Sequence, residues 1–555
     1  MIAVGCDHGG YDLKQEILRY LEEQNIEYAD YGCYSRESVD YPVYARKVAE
    51  EVKDGACEKG ILICGTGIGI SIAANRIAGI RAALCADCFS AQATREHNDA
   101  NILALGARVV GPGLAVKIAD TFLHTDFSGD ERHRRRIELI EGWEMIMRKK
   151  GLLAGQSGGP TAVINSSLYG VVAQARCHRD EIAGIYGMVN GIEGFLEGKV
   201  LDFEKELPGE RLDGLLTTPG AYLGSCRYKL PEDLEDPVYQ KLFEKFEELG
   251  IGYILYIGGN DSMDTVSKLS RYGKKIGSSI AILGEPKTID NDLVLTDHTP
   301  GFGSAAKYVA STVREIATDA SVYETKSVTI VEIMGRHAGW LTAAAVLARK
   351  YEGDNPLLIY LPEVAFDQEA FLERLKACFE VSKAVVVCVS EGIRDQEGVF
   401  ICEYDSEAGT DSFGHKMLAG CGKYLERLVR GRLGVKARSV ELNVSQRCSV
   451  SMMSDTDRQE AVMAGRYGVC AALKGETGKM ISFVRAANAP YRIDCGLEDV
   501  DDICNKEKTV PLAWITQDGS DLSQEFLEYA RPLVKGNVQA TEDEDGLPLF
   551  VCRRS

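Results

Sequence analysis

Residues 151–168 read GLLAGQSGGPTAVINSSL: a strand-length apolar run, a turn at Gly158–Gly159, then the start of a helix. The same order opens the chain, where IAVGC precedes DLKQEILRYLEEQ, and it recurs in GILIC followed by SIAANRIAG. Short β-branched runs alternating with amphipathic, helix-length segments are the mark of parallel sheets covered by helices. The restart at Gly151 therefore predicts two α/β units, the first closed by a helix in RRRIELIEGWEMIMRKK (134–150). Boundaries at 1–148 and 151–555 follow, with no Pro-, Gly- or Ser-rich linker between them. The second unit is long enough to form two lobes with a cleft between them.

Composition narrows the function classes. The 555 residues suffice for about three or four core-sized units. A net charge of −20, with both signs interspersed, argues against nucleic acid or a membrane surface as partner, because phosphate backbones need a net basic footprint. The 17 cysteines show no regular spacing and read as reduced thiols of a cytoplasmic protein. The chain opens directly on a strand, which predicts no signal peptide. The uncharged, glycine-rich stretch Gly60–Asn75 is too short to span a bilayer.

In the first unit, ILICGTGIGIS (61–71) carries a strand through Cys64 into Gly65, Gly67 and Gly69 before a helix. Backbone N–H groups in such a turn can crowd around an anion, and the helix dipole can favour a thiolate. The same residues also suit a tight turn after a buried cysteine. The spacing is neither the dinucleotide fingerprint nor a P-loop. CDHGG (6–10) sets Asp7 and His8 at the end of the first strand, where open sheets bind ligands. REHNDANILALG (95–106) adds His97 and Asn98, and GDERHRRR (129–136) adds a cationic cluster. A thiol, an anion-binding turn and cations together suit a phosphorylated sugar. Cys85 and Cys88 form a single C-x-x-C with no second pair at zinc spacing, and read as structural.

These motifs, with DYP (40–42), GIRAAL and REHNDANILALGARVVG, closely resemble the type B ribose-5-phosphate isomerases over 1–148. The resemblance implies a Rossmann-like parallel-sheet domain that needs no cofactor. It makes Cys64 the base that moves a proton between C2 and C1. The amides of Gly65–Gly69, with Thr66, would hold the enediolate oxygens, and His97 would open the sugar ring with Asp7 positioning it. His8 and Asn98 would line the site, and Arg132 and Arg136 would grip the 5-phosphate across a dimer interface. Such chemistry requires a base tuned towards neutral pH and an oxyanion site.

The second unit repeats the strand–glycine–helix turn. LGSCRYKL (223–230) carries Arg227, YILYIGGNDSMDT (253–265) ends a strand in Gly258–Gly259–Asn260–Asp261, and SSIAILGEPKTIDND (278–292) and VTIVEIMGRHAGW (328–340) follow. Taken in series at strand ends, these turns converge on one edge of a sheet. Their order and spacing are similar to those of the phosphofructokinases over about 151–500, which implies a two-lobed α/β fold. In that resemblance Asp290 is the general base for the 1-hydroxyl of fructose 6-phosphate, and Thr288 and Asp292 orient the reacting groups. Met334, Gly335, Arg336 and Glu391 line the sugar site, and Arg438 and Arg447 hold the 6-phosphate. Gly159, Arg227 and Gly259 face the phosphoryl donor. Glu285 reads as a turn residue.

The resemblance also speaks to the donor. ATP-dependent members resemble GGDG and PGTIDND; here the corresponding positions hold Asp261 and Lys287. A carboxylate at 261 crowds the α-phosphate of ATP, and an ammonium at 287 neutralises a small tetra-anion, which is the pyrophosphate-dependent pattern. Asn260 stands where many members carry an Mg2+-associated aspartate, so Mg2+ is expected at Asn260 and Asp261, on water or on pyrophosphate itself. ELNVSQRCS (441–449) keeps Gln446 and Arg447 but lacks the usual histidine, and Ser327 replaces a phosphate-binding arginine beside Lys326. The expectation is a cytoplasmic, homo-oligomeric, bifunctional sugar-phosphate enzyme. Its rivals are a non-catalytic pentose-phosphate-sensing first unit and a kinase that uses ATP.

Overall fold

The computed structural model describes residues 1–147, 149–404 and 420–553. The chain divides into two compact units, Met1–Arg148 and Lys149–Ser555.

The first unit holds one parallel sheet. Its strands are β1 (Ile2–Cys6), β2 (Tyr28–Asp30), β3 (Lys59–Cys64), β4 (Ala82–Leu84) and β5 (Ile102–Gly106), in the order β2-β1-β3-β5-β4. Both faces are covered, so the strands read as continuous apolar runs. Val4, Ile63 and Leu105 pack into one core layer, and Ala3, Leu62 and Cys64 into the other. The strand order reverses between β1 and β3, which leaves a crevice outside their carboxyl ends.

The second unit contains two sheets. The larger is built from β6 (Lys150–Gln156), β7 (Ile182–Met188), β8 (Val200–Asp202), β9 (Ile251–Gly258) and β10 (Ala281–Pro286), together with two strands far along the chain, β15 (Lys479–Asn488) and β16 (Tyr491–Asp499). Its order is β16-β15-β10-β9-β6-β7-β8, with β6, β9 and β10 side by side and parallel. The smaller sheet is parallel, with β11 (Ser327–Ile333), β12 (Leu358–Tyr360), β13 (Ala384–Ser390) and β14 (Lys436–Glu441) in the order β12-β13-β11-β14. Alternation buries Leu152, Leu255 and Leu283 on one face of the larger sheet and Leu153, Ile254 and Ile282 on the other. Each lobe thus presents a row of strand ends from which the candidate site residues emerge.

Candidate active sites

In the first unit, β1 delivers Asp7 and His8 while β3 delivers Cys64 and the glycine turn. Asp7 is buried, and its Oδ1 accepts from the Gly10 N–H at 3.0 Å. His8 Nδ1 accepts from the Val39 N–H at 3.2 Å. Cys64 is 4 % exposed and its Sγ accepts from the Gly67 N–H at 3.1 Å. Gly67 has φ +76°, and a Cβ there would lie 2.9 Å from the Leu105 carbonyl carbon, so only glycine lets this amide face the sulfur. Thr66 Oγ1 lies 3.4 Å from the Ile68 nitrogen.

His97 and Asn98 close the helix Cys88–Asn98. The His97 ring stacks on His133 at 4.4 Å with 10° between planes. His133 is 4 % exposed; its Nε2 makes no hydrogen bond and lies 4.0 Å from Asp130. Burial, then the charges of His97 and Arg132, holds His133 below the usual imidazole range. Arg132 and Arg136 stand exposed on the helix Glu131–Met147, Arg132 at 3.4 Å from Asp130. Arg108 lies closer to the turn: its N–H donates to the Gly65 carbonyl at 3.0 Å and its side chain packs against Gly65.

In the second unit, β6, β9 and β10 end side by side. After β6 comes the Gly158–Gly159 turn, with Gly158 at φ +75° and the Ser225 hydroxyl donating to its carbonyl at 2.7 Å. This contact brings the segment carrying Arg227, itself exposed, against the same turn. After β9, Gly259 leads into the helix Asn260–Lys275, with Asp261 in its first turn. After β10 comes Lys287, 2 % exposed, whose Nζ donates to the Gly159 carbonyl at 2.6 Å. Burial lowers its pKa to about 8, opposed by Asp290 and Asp292.

Burial, then repulsion from Asp292, raises the pKa of Asp290 to about 7, while Lys287 and the Thr288 hydroxyl act in the opposite sense. Thr288 Oγ1 accepts from the Asp290 N–H at 3.1 Å. Asn291, between the two aspartates, is left-handed at φ +55°. Asp292 is raised by burial, and its Oδ1 is buried without a partner. From the smaller sheet, β11 runs into Met334–Gly335–Arg336 and β13 into Glu391. Gly335 N–H points at Glu391 Oε1 at 3.4 Å, and Met334 N–H at Gln446 Oε1 at 3.3 Å. Burial raises Glu391 to about 7, and the Asp290 charge contributes, which places the two carboxyls within each other's field. A half-buried, near-neutral base beside a buried ammonium can take a hydroxyl proton while charge moves onto phosphoryl oxygens.

A family model described as Phosphofructokinase matches residues 152–471, and one described as Ribose/Galactose Isomerase matches residues 2–140. The chain belongs to the phosphofructokinase family and carries a ribose/galactose isomerase-family domain. It is 41% identical over 412 residues to the pyrophosphate–fructose 6-phosphate 1-phosphotransferase of Xanthomonas campestris pv. campestris (strain B100), covering 74% of this chain and 97% of that protein. Ribose-5-phosphate isomerase B of Escherichia coli (strain K12) is 52% identical over 143 residues, covering 26% of this chain and 95% of that one. The crystal structure of the pyrophosphate-dependent phosphofructokinase from Marinobacter aquaeolei superposes with a TM-score of 0.66 at 36% identity, covering 73% of this chain and 96% of that one.

Within the phosphofructokinase domain several residues stand elsewhere than the sequence suggests. Asn260 Oδ1 accepts from the Asn505 N–H at 2.8 Å, and its Nδ2 donates to the Lys506 carbonyl at 2.6 Å. Both ends of this amide are engaged by the backbone of residues 505–506, so Asn260 clamps that segment to the start of its helix. Asp261 is 81% exposed and paired with Lys229 at 3.3 Å. Arg438 lies opposite Thr329 in the β11–β14 ladder, four residues before Ile333, or about 13 Å from the strand end that bears Met334. It faces Asp319 at 4.0 Å and is not gathered with Glu391. Arg447 reaches the Gly158–Gly159 turn, its Nη1 3.4 Å from where a Gly159 Cβ would lie. Glu285 is a strand residue: it shares the face of Ala281 and Leu283, is fully buried, and has no partner for either oxygen. Burial alone raises its pKa well above the usual carboxylate value. The Lys326 ammonium lies over the Phe379 ring at 5.2 Å.

Sequence reasoning passed over His133, Arg108, Lys229 and Lys508. The first three lie inside motifs already quoted; Lys508 carries no local signal at all.

Proposed function

We propose that the phosphofructokinase domain phosphorylates fructose 6-phosphate at its 1-hydroxyl with pyrophosphate as donor, and that the isomerase-family domain interconverts ribose 5-phosphate and ribulose 5-phosphate. The observation that carries the first activity is the Lys287 ammonium, seated under the Gly158–Gly159 turn beside Asp290. That site suits a compact anion, and names of relatives such as the Xanthomonas phosphotransferase support the donor.

In the phosphoryl transfer, Asp290 accepts the proton of the 1-hydroxyl as the oxygen bonds to the terminal phosphorus of pyrophosphate. The P–O bond to the leaving phosphate breaks. Lys287 neutralises charge on the transferred group, moving from the Gly159 carbonyl to the phosphoryl oxygens. The Arg336 and Glu391 segments orient the sugar. Mg2+, which the family implies, suits a site of one or two carboxylates plus substrate phosphates. The exposed Asp261 carboxylate and the unpartnered Asp292 Oδ1 are the oxygens that would hold it. When bound, it supplies charge neutralisation on the donor.

In the isomerase-family domain, Cys64 as thiolate removes the C2 proton of the open-chain aldose and returns it to C1. The amides of the Gly65–Gly69 turn stabilise the enediolate oxygens, and His97 moves the ring-opening proton. The short contact between Cys64 Sγ and the Gly67 N–H supports this reading. Among the described residues no helix is long and apolar enough to cross a membrane.

Two assays test these activities. With fructose 6-phosphate, pyrophosphate supports turnover and ATP does not; ATP-only activity refutes the donor. With ribose 5-phosphate, wild type forms ribulose 5-phosphate and Cys64→Ala does not; an inactive wild type that still binds pentose phosphate makes the first domain a sensor.

A further inference from the structure

Residues 505–510, NKEKTV, lie beyond the span matched by the phosphofructokinase family model, yet they touch each part of the candidate site. Asn505 and Lys506 are clamped by Asn260 at the start of the helix that bears Asp261. Glu507 meets His337, one residue after Arg336, at 3.1 Å. The Lys508 N–H donates to the Asp292 carbonyl at 2.7 Å, and its own carbonyl accepts from Trp340 Nε1 at 2.8 Å. Val510 N–H donates to Glu363 Oε1 at 2.9 Å. One short segment therefore joins the donor helix, the catalytic turn and the acceptor lobe.

The Lys508 side chain is the pin of this strap. Its Nζ donates to the carbonyls of Asp297 at 2.9 Å and Thr296 at 3.1 Å, and to Asn291 Oδ1 at 3.4 Å, while the ammonium lies 5.2 Å over the Trp340 ring. Asp297 and Asp292 are the anions that face it, and Arg485 is the opposing cation. Asn291 is held from two further sides: its Oδ1 accepts from the Thr299 N–H at 3.1 Å, and its Nδ2 donates to the Tyr529 hydroxyl at 2.8 Å. This amide belongs to the left-handed residue between Asp290 and Asp292, so its orientation decides where both carboxyls point. Catalytic groups misplaced by about 1 Å can cost about 10²-fold in rate.

We propose that Lys508 is a positioning residue for phosphoryl transfer: through Asn291 and the Asp292 carbonyl it sets the turn that presents Asp290, and its strap ties that turn to Asn260 and His337. The inference rests on the phosphofructokinase reading above.

The test uses the full chain with Lys508→Met, Asn260→Ala and the double variant. Steady-state kinetics with pyrophosphate and fructose 6-phosphate are combined with hydrogen exchange of the peptide spanning 286–300. Lys508→Met lowers kcat about 10²-fold while both KM values stay within about threefold. The 286–300 peptide exchanges faster in this variant, and the strands of the larger sheet do not. Asn260→Ala lowers kcat about fivefold, and the double variant is no worse than Lys508→Met, because both act through one strap. Unchanged kcat in Lys508→Met, or protection lost across the whole domain, overturns the proposal. Should Lys508→Met fail to fold, Asn260→Ala decides: lowered kcat at constant KM supports the strap, and unchanged kcat refutes it. Should wild type not use pyrophosphate, the functional reading falls, while faster exchange at 286–300 alone would still mark Lys508 as the pin.

Discussion

The two candidate sites occupy equivalent places, outside the carboxyl ends of parallel strands, but they treat charge in opposite ways. In the isomerase-family domain Arg108, Arg132 and Arg136 stand in solvent, and the buried group proposed to react is a thiol that accepts from a backbone amide. In the phosphofructokinase domain Lys287 is almost fully enclosed, and desolvation lifts the half-buried Asp290 and Glu391 carboxyls to pKa values of about 7. The difference follows the chemistry each is proposed to perform. Moving a proton next to a carbonyl develops one negative charge, which a few N–H groups can meet. Phosphoryl transfer must gather a highly charged donor, an acceptor and a base, and preorganised charges act most strongly where water is excluded.

The sharpest way to break this comparison is to remove one base at a time. Asp290→Asn should lower pyrophosphate-dependent phosphorylation about 10³-fold and leave ribose 5-phosphate isomerisation unchanged, while Cys64→Ala does the reverse. Coupled assays of both activities on each variant check this; loss of both from either substitution would show that the sites do not act separately. Next in size, Lys287→Met should cost about 10²-fold in kcat with pyrophosphate, since one preorganised charge on the transferred group is lost. An effect confined to KM would make Lys287 a binding residue only.

The pH dependence should differ between the halves. Asp290 must be ionised to act as a base and Lys287 protonated to act as a cation. Phosphorylation measured as kcat/KM should therefore rise as pH passes about 7 and fall as it passes about 8. In Asp290→Asn the residual activity should lose the acidic limb. Stability moves the other way: Asp290 and Glu391 have folded pKa values raised above 3.8 and 4.5, so the folded state binds more protons between those values and about 7. Their contribution is fully present below the unfolded pKa values and is lost as pH rises through about 7. The smallest effect concerns Glu285. Replacing a buried, unpartnered carboxyl by an apolar group of similar size removes a desolvation cost of about 1–3 kcal/mol. Glu285→Leu should raise the melting temperature of the phosphofructokinase transition and change activity less than about twofold, checked by calorimetry and the same assays.

Much of both sites is visible in the sequence because its causes are local. A turn in which a Cβ would strike backbone needs glycine, as at Gly67, and that requirement leaves a mark within a few residues. The TIDND turn is equally local, since Thr288 and Asn291 order the aspartates beside them. His133 escaped notice because RHRRR reads as a solvated basic run, and which of its residues turns inward depends on the helix face packed against His97. Glu285 was misread because the neighbouring Pro286 and Lys287 suggest a turn, whereas strand pairing continues through Pro286.

Sequence alone therefore determined the two α/β units, the turns at their strand ends and the residue types that match a thiol base and a phosphoryl-transfer base. Patterns of period two and 3.6, and glycine at close approaches, are properties of neighbouring residues. Tertiary structure decided what depends on distance through space. It set the register that leaves Arg438 about 13 Å short of the strand end bearing Met334, and the fold that carries Arg447 to the Gly158–Gly159 turn. It also gave Asn260 its clamp and set Lys508 against Asn291, 217 residues away. Burial belongs with these, because the pKa values that suit Asp290 and Lys287 to their proposed roles arise only when distant elements close over them.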